Sequence, residues 1–137
     1  MRRGFAALML AAVAGTCLGC SDEFFFSPQF VVSGSVPFTA PDIYAQWWRD
    51  TEACSGRTAD FGRIKWFVVP EASAFEFRGG SYSGYWWETH DVVLAGRMID
   101  QASVVRHEML HDLLGTGTHP PEYFGGRCAG LVEWTNS

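Results

Sequence analysis

The stretch HEMLH, residues 107–111, constrains the fold of this chain more than any other feature. Residues four apart lie on the same face of an α-helix, so a helix here points the imidazoles of His107 and His111 in one direction. Apolar residues at helical spacing surround the stretch, and Gly115 is a typical helix stop. We therefore expect a helix over about 100–114 with two histidines on one face.

This arrangement is suited to holding a metal ion and a water molecule. Imidazole nitrogens are common zinc ligands, and Glu108 lies beside the face that His107 and His111 share. A carboxylate in that position can take a proton from a water as the water attacks a carbonyl. The hypothesis is a Zn²⁺ ion bound by the two histidines, with Glu108 as general base.

On the HEMLH stretch the chain resembles the zincin metallopeptidases, and the order of its expected elements is similar over about residues 40–124. The resemblance implies a small zincin-like domain with zinc at His107 and His111 and with Glu108 as the catalytic base. It also implies a peptide or protein substrate that lies along an edge strand, for which DVVLA, residues 91–95, is the expected strand.

A catalytic zinc usually has three protein ligands, so one more is needed. Metzincins continue as HExxHxxGxxH, but here Leu114 and Gly117 stand where the glycine and the third histidine would be. The next histidine is His119, and the glycines before it allow the chain to turn back toward the metal. We favour His119 as the third ligand, with Glu122 and Glu133 as the alternatives.

Zincins also stabilise the oxyanion with a hydrogen-bond donor beside the metal, which is worth a few kcal/mol. Tyr123 follows the ligand loop and is the predicted donor, with Tyr85 and His90 as alternatives. Asp112 is interpreted either as a solvated helix residue or as a group that orients a ligand imidazole.

The remaining patterns indicate an α+β fold. We expect an N-terminal helix, a three- to four-stranded and mostly antiparallel twisted sheet, the active-site helix and a short loop-rich C-terminal tail. The first helix begins near Thr39 and ends near Gly56. Strands are expected at 62–70, 74–78 and 85–96, with a flexible turn at 79–84.

Residues 1–20 are typical of an export signal, since two arginines precede a short apolar run. The segment ends in Gly19-Cys20, which resembles a bacterial lipoprotein signal with Cys20 as the lipidated residue. We expect a membrane-anchored protein that faces the periplasm or the cell exterior, with ordinary secretion as the alternative. Residues 21–38 are expected to be a tether, and residues 39–137 the catalytic domain.

Two cysteines remain in the domain after the signal is set aside, Cys54 and Cys128. An exported compartment is oxidising, so we predict a disulfide between them, with two free thiols as the alternative. Such a bond closes a long loop and contributes on the order of 4 kcal/mol.

The formal net charge of −5 and the lack of a basic stripe argue against a nucleic-acid partner. The function that fits best is a zinc-dependent metallopeptidase. The alternatives are a non-catalytic zinc-binding lipoprotein and a peptide-binding module. An aromatic carbohydrate-binding module is a further alternative, but core packing explains its tryptophans equally well: Trp47, Trp48, Trp86 and Trp87.

Overall fold

The computed structural model describes residues 32–132 of the 137-residue chain. The predicted export signal, Cys20, the tether up to residue 31 and Glu133 lie outside the described residues. The described part is α+β, as expected, and none of its helices has the length and apolar character needed to cross a membrane. Its strands are β1 (Val36–Pro37), β2 (Lys65–Val69), β3 (Phe75–Phe77), β4 (Gly80–Tyr82), β5 (Gly84–Trp87) and β6 (Asp91–Ala95). Its helices are α1 (Ile43–Ser55), α2 (Ala102–Leu114) and α3 (Ala129–Val132), with 3₁₀ turns at Phe61–Arg63 and Gly96–Met98 and a π-helical turn at Tyr123–Arg127.

Helix α1 packs into the core on one face, whereas Ile43 at its start is exposed. Tyr44 and Trp48 are buried, and Gly56 ends the helix in the left-handed conformation at φ 70°. The Tyr44 hydroxyl donates to the Ile99 carbonyl oxygen at 2.6 Å, and the Trp48 indole N–H donates to the Ala59 carbonyl oxygen at 3.2 Å. Trp48 is therefore a core residue whose polar atom has a partner.

Helix α2 is packed on most of its sides, and it carries the HEMLH stretch. It contacts α1, α3 and β5. Gly115 ends it at φ 65°, as the sequence predicts. Its buried apolar residues are Val104, Val105, Met109 and Leu110.

Four strands form one sheet in the order β1-β2-β6-β5. The two outer pairs are antiparallel, whereas β2 and β6 run parallel, with Lys65 opposite Asp91 and Val69 opposite Ala95. The prediction of a mostly antiparallel sheet of three to four strands is confirmed. A parallel pair needs a long connection, and here β3, β4 and β5 supply it.

The strand that was expected at the edge of the sheet lies inside it. Strand β6, the DVVLA segment, is flanked by β2 and β5, and all five of its residues are buried. A continuous apolar run without polar alternation is typical of a strand that is covered on both faces. The edge strand beside α2 is β5 instead, and the prediction for residues 91–95 is wrong on this point.

Turns divide the other predicted strands. The single strand expected at 85–96 is the β5–β6 hairpin, with His90 at φ 63° in its turn. The strand expected at 74–78 ends at a turn in which Arg78 and Gly79 both have positive φ, and β3 then pairs with β4 in a second sheet of two strands. Residues 79–84, expected as a flexible turn, therefore contain β4 and the start of β5.

Apolar side chains cover both faces of the main sheet. The helices α1 and α2 pack on one face, where the buried cluster includes Tyr44, Trp48, Trp66, Trp86, Val92, Leu94, Val105 and Met109. The β3–β4 hairpin and the start of the described chain pack on the other face, around Val32, Phe75, Val93 and Ala95.

The predicted Cys54–Cys128 disulfide is present, with the two Cα atoms 5.2 Å apart. It joins the last turn of α1 to the residue that precedes α3. Cys128 is buried in a cluster with Leu110 and Val132, which fixes the C-terminal segment against α2.

Candidate metal centre and cleft

Helix α2 presents His107 and His111 side by side, with ring centroids 4.9 Å apart. The Nδ1 atom of His111 donates to the Thr116 carbonyl oxygen at 2.7 Å, and the Nδ1 atom of His107 donates to the Val132 carbonyl oxygen at 3.3 Å. A carbonyl can only accept, so each Nδ1 carries a hydrogen and each neutral ring keeps a lone pair at Nε2.

The loop after α2 brings His119 to the same place. Within this loop the Thr118 N–H donates to the Thr116 hydroxyl oxygen at 3.2 Å. The Nε2 atom of His119 lies 2.9 Å from the Nε2 atom of His107. Two imidazole nitrogens at this distance need a shared proton or a metal ion between them, because two bare lone pairs repel each other.

The three histidines form a group that could hold a metal ion. One ligand nitrogen from each of His107, His111 and His119 lies within 4.8 Å of the others. Within residues 32–132 the candidate metal-binding group consists of these three residues, and it does not include Glu122. The preference for His119 over Glu122 therefore agrees with the geometry, whereas Glu133 is not described.

Burial favours the neutral form of the His107 and His111 imidazoles. It lowers the pKa of His111 to about 4, with a further lowering from the nearby His107. The pKa of His107 is lowered as well, again mainly by burial. Neutral imidazole is the form that binds a metal ion, so both ligands are available at pH 7 without losing a proton.

Phe124 forms an apolar wall against all three histidines. Its ring centroid lies 4.9 Å from that of His107, 4.8 Å from that of His111 and 4.7 Å from that of His119. Phe124 was not predicted as a site residue, because a phenylalanine in a loop carries no chemical pattern of its own. Its place follows from the π-helical turn at Tyr123–Arg127.

Tyr123, the predicted oxyanion donor, packs against the cluster of Leu110, Cys128 and Val132. It does not line the cavity beside the histidines, whereas Tyr82 and Tyr85 do. Phe124 packs against the same cluster and also contacts all three histidines.

Glu108 is buried against the edge strand. A Cβ atom added to Gly84 of β5 would lie 2.7 Å from the Glu108 Oε1 atom, so only glycine leaves room for this carboxyl group. The main-chain N–H of Trp86 donates to the carboxylate. Burial raises the pKa of Glu108 to about 8, and the Trp86 hydrogen bond offsets only part of that effect.

Asp112 is neither solvated nor in contact with a ligand imidazole, so neither interpretation from the sequence holds. It is buried, and its carboxylate accepts hydrogen bonds from the Trp86 indole N–H at 2.9 Å and from Arg63 Nε at 2.8 Å. It also lies 2.7 Å from His90 Nδ1. His90, an alternative oxyanion donor in the sequence analysis, is thus engaged by Asp112.

A cleft runs between β5 and the histidines. Its centre is a cavity of about 170 Å³ lined by Glu108, Tyr82, Tyr85 and the three histidines. A buried carboxyl group and three imidazoles therefore open onto the same small space. This arrangement can bind a metal ion and move a proton next to it.

Comparisons with known proteins give no match: no family model fits the chain, and neither the curated proteins nor the solved structures contain a significant relative. The chemistry of the site itself must therefore carry any assignment of function.

Proposed function

We propose that this protein is a zinc-dependent metallopeptidase of the zincin type. The observation that carries the proposal is the contact zone between α2 and β5, where Glu108 and the three-histidine group share one cavity at a sheet edge. A site that only stabilises the fold gains nothing from a buried carboxyl group beside its ligands, whereas hydrolysis needs a base in that position.

Zinc is the ion that suits this donor set best. His107, His111 and His119 would offer three imidazole nitrogens, and three protein ligands are the usual number in a catalytic zinc site. The Nε2 atoms of His107 and His119 lie 2.9 Å apart, so both nitrogens could bind the same ion. When bound, zinc lowers the pKa of a water molecule to about 7 and polarises a carbonyl group.

The protein's own residues would then transfer the proton and position the substrate. Glu108 would take a proton from the attacking water and pass it to the leaving amine, because the charge of a bound metal ion favours the ionised form of this buried carboxyl group. Tyr85 lines the cavity and replaces Tyr123 as the proposed oxyanion donor. Strand β5 offers its edge to an extended peptide substrate.

We also propose that the protein is exported and that a lipid at Cys20 anchors it to a membrane. The Cys54–Cys128 disulfide supports an oxidising compartment. Mass spectrometry of protein extracted from membranes of an expressing bacterium tests the anchor. An unmodified chain that begins elsewhere than Cys20 contradicts it.

The activity is tested by replacing the base. In Glu108→Gln the zinc content stays the same, while hydrolysis of unfolded casein falls by at least about 100-fold, because an amide cannot take the proton. Glu122→Gln is the matched control, since Glu122 is exposed and is not part of the histidine group. Unchanged hydrolysis in Glu108→Gln rules out the mechanism.

A further inference from the structure

The cleft continues on both sides of the histidines. On one side it opens into a cavity of about 250 Å³ lined by Ser81, Ser83 and Val104, which shares His107 and Glu108 with the centre. On the other side it opens into a cavity of about 200 Å³ along Tyr85–Glu88, which shares Tyr85, Trp86 and Gly117 with the centre. The histidines therefore lie in the middle of a cleft and not at its end.

Nothing in the described lining is suited to hold a free chain terminus. The residues that line the three cavities include the carboxyl groups of Glu88 and Glu108 but no lysine or arginine. A terminal carboxylate needs a cationic partner, and the Arg78 guanidinium, which lies over the Trp87 ring at 4.4 Å from its centroid, is not among these lining residues. Glu88 could attract an amino terminus, but it is exposed at the outer end of an open cavity and does not close it.

Strand β5 supplies a template that passes the site on both sides. Its four residues span about 13 Å at roughly 3.3 Å per residue, from Gly84 beside Glu108 to Trp87 in the outer cavity. A segment that pairs with this strand is held as an extended chain, with residues on either side of the bond next to the histidines.

We infer that the protein is an endopeptidase that cuts internal bonds of extended, unfolded segments and does not require a free end. The inference rests on the proposed function. In each cycle the oxygen of one water forms a bond with the carbonyl carbon, the peptide C–N bond breaks, and Glu108 carries a proton from that water to the leaving nitrogen. The second proton of the water also ends on this nitrogen, so the products are one carboxylate and one protonated amine, and no other reactant is consumed.

The test uses two matched pools of mixed peptides of about ten residues, long enough to fill the cleft on both sides. One pool has free ends, and the other has an acetylated N-terminus and an amidated C-terminus. Zinc-loaded protein is incubated with each pool, and the products are sequenced by mass spectrometry. We expect the same internal bonds to be cut in both pools, with kcat/KM values within about threefold of each other.

A second measurement detects peptide binding in the absence of hydrolysis. Glu108→Gln protein is titrated with each pool, and tryptophan fluorescence is followed, since Trp86 and Trp87 line the cleft. The blocked pool should bind with a Kd within about threefold of that of the free pool, because neither end of the peptide contributes to recognition.

The possible outcomes separate the inference from the proposed function. Trimming of the free pool from one end, with the blocked pool uncut and unbound, overturns the inference and leaves a metallopeptidase of the exopeptidase kind. No cleavage of either pool by a protein that retains its zinc contradicts the proposed function, and the inference with it.

Discussion

At the scale of single residues, the position of the Glu108 carboxyl group depends on two neighbours, Gly84 and Trp86. The absent side chain of Gly84 leaves room for the carboxyl group, and the main-chain N–H of Trp86 fixes it. Both neighbours belong to β5, so the proposed base and the proposed peptide template are parts of one contact. A small displacement of a proton-transfer group has a large effect on rate.

Gly84→Ala tests this contact. The added methyl group would lie 2.7 Å from the Glu108 Oε1 atom and must displace the carboxyl group or the strand. We expect kcat to fall by about tenfold or more, with the zinc content unchanged. Gly130→Ala is the control, because no atom lies within 4 Å of its added Cβ. Equal loss in both variants, or none in Gly84→Ala, would contradict the role given to Gly84.

At the scale of elements, Asp112 connects α2 to β5 and to the turn before β2. Its buried carboxylate forms an ion pair with Arg63 and accepts a hydrogen bond from the Trp86 indole, while the Arg63 guanidinium also donates to the Asp112 carbonyl oxygen at 2.9 Å. The Trp86 ring also stacks on His111, with centroids 6.2 Å apart. The helix that carries His107 and His111, two of the proposed ligands, is thereby held at a fixed distance from the edge strand.

Asp112→Asn should destabilise the protein by about 3 kcal/mol, since removing one charge of a buried ion pair leaves its partner poorly compensated. The measurement is the free energy of unfolding in urea for the metal-free protein. Asp42→Asn, an exposed residue at the start of α1 with no side-chain capping bond, is the control. A change of equal size in the two variants would show that Asp112 has no special structural role.

The elements that the sequence predicts well are those with local causes. Helices α1 and α2 follow from apolar spacing and from the stops at Gly56 and Gly115, and the pairing of His107 with His111 follows from helical geometry. His119 was predicted because a glycine-rich loop of that length can return to the helix. These features need no knowledge of the sheet.

The sheet and the surroundings of the site depend on contacts between residues that are far apart in the sequence. Local sequence patterns did not predict these contacts. Trp86 and Asp112 are 26 residues apart in the chain, and no local pattern indicates their hydrogen bond. The role of Gly84 likewise depends on how β5 meets α2. The inner position of β6 could have been predicted from its unbroken apolar run, which outweighs its position just before the helix.

At the scale of the whole molecule, the Cys54–Cys128 disulfide links the site to the first helix. Cys128 immediately precedes α3, and Val132 of α3 supplies the carbonyl oxygen that orients His107. The π-helical turn that carries Phe124 ends at the same cysteine. The other contacts of the C-terminal segment include a small apolar cluster, the packing of Phe124 on the histidines and the hydrogen bonds of Val132 and Arg127.

The double variant Cys54→Ser, Cys128→Ser should lose about 4 kcal/mol of stability, since the bond spans 74 residues of sequence. It should also bind zinc more weakly, because the group that orients His107 is less firmly held. Urea unfolding and a competitive zinc titration measure the two effects. Loss of stability with unchanged zinc affinity would show that α3 does not support the site.

The most direct measurement is the zinc content of the purified domain, determined by elemental analysis for the wild type, His119→Ala and His90→Ala. His90 is the one histidine of the chain outside the three-histidine group, and it contacts Asp112. It therefore controls for the general loss of an imidazole. We predict one zinc per chain in the wild type and in His90→Ala, and much less in His119→Ala. Equal zinc in all three would move the third ligand away from His119, and no zinc in the wild type after reconstitution would contradict the metal site and the peptidase with it.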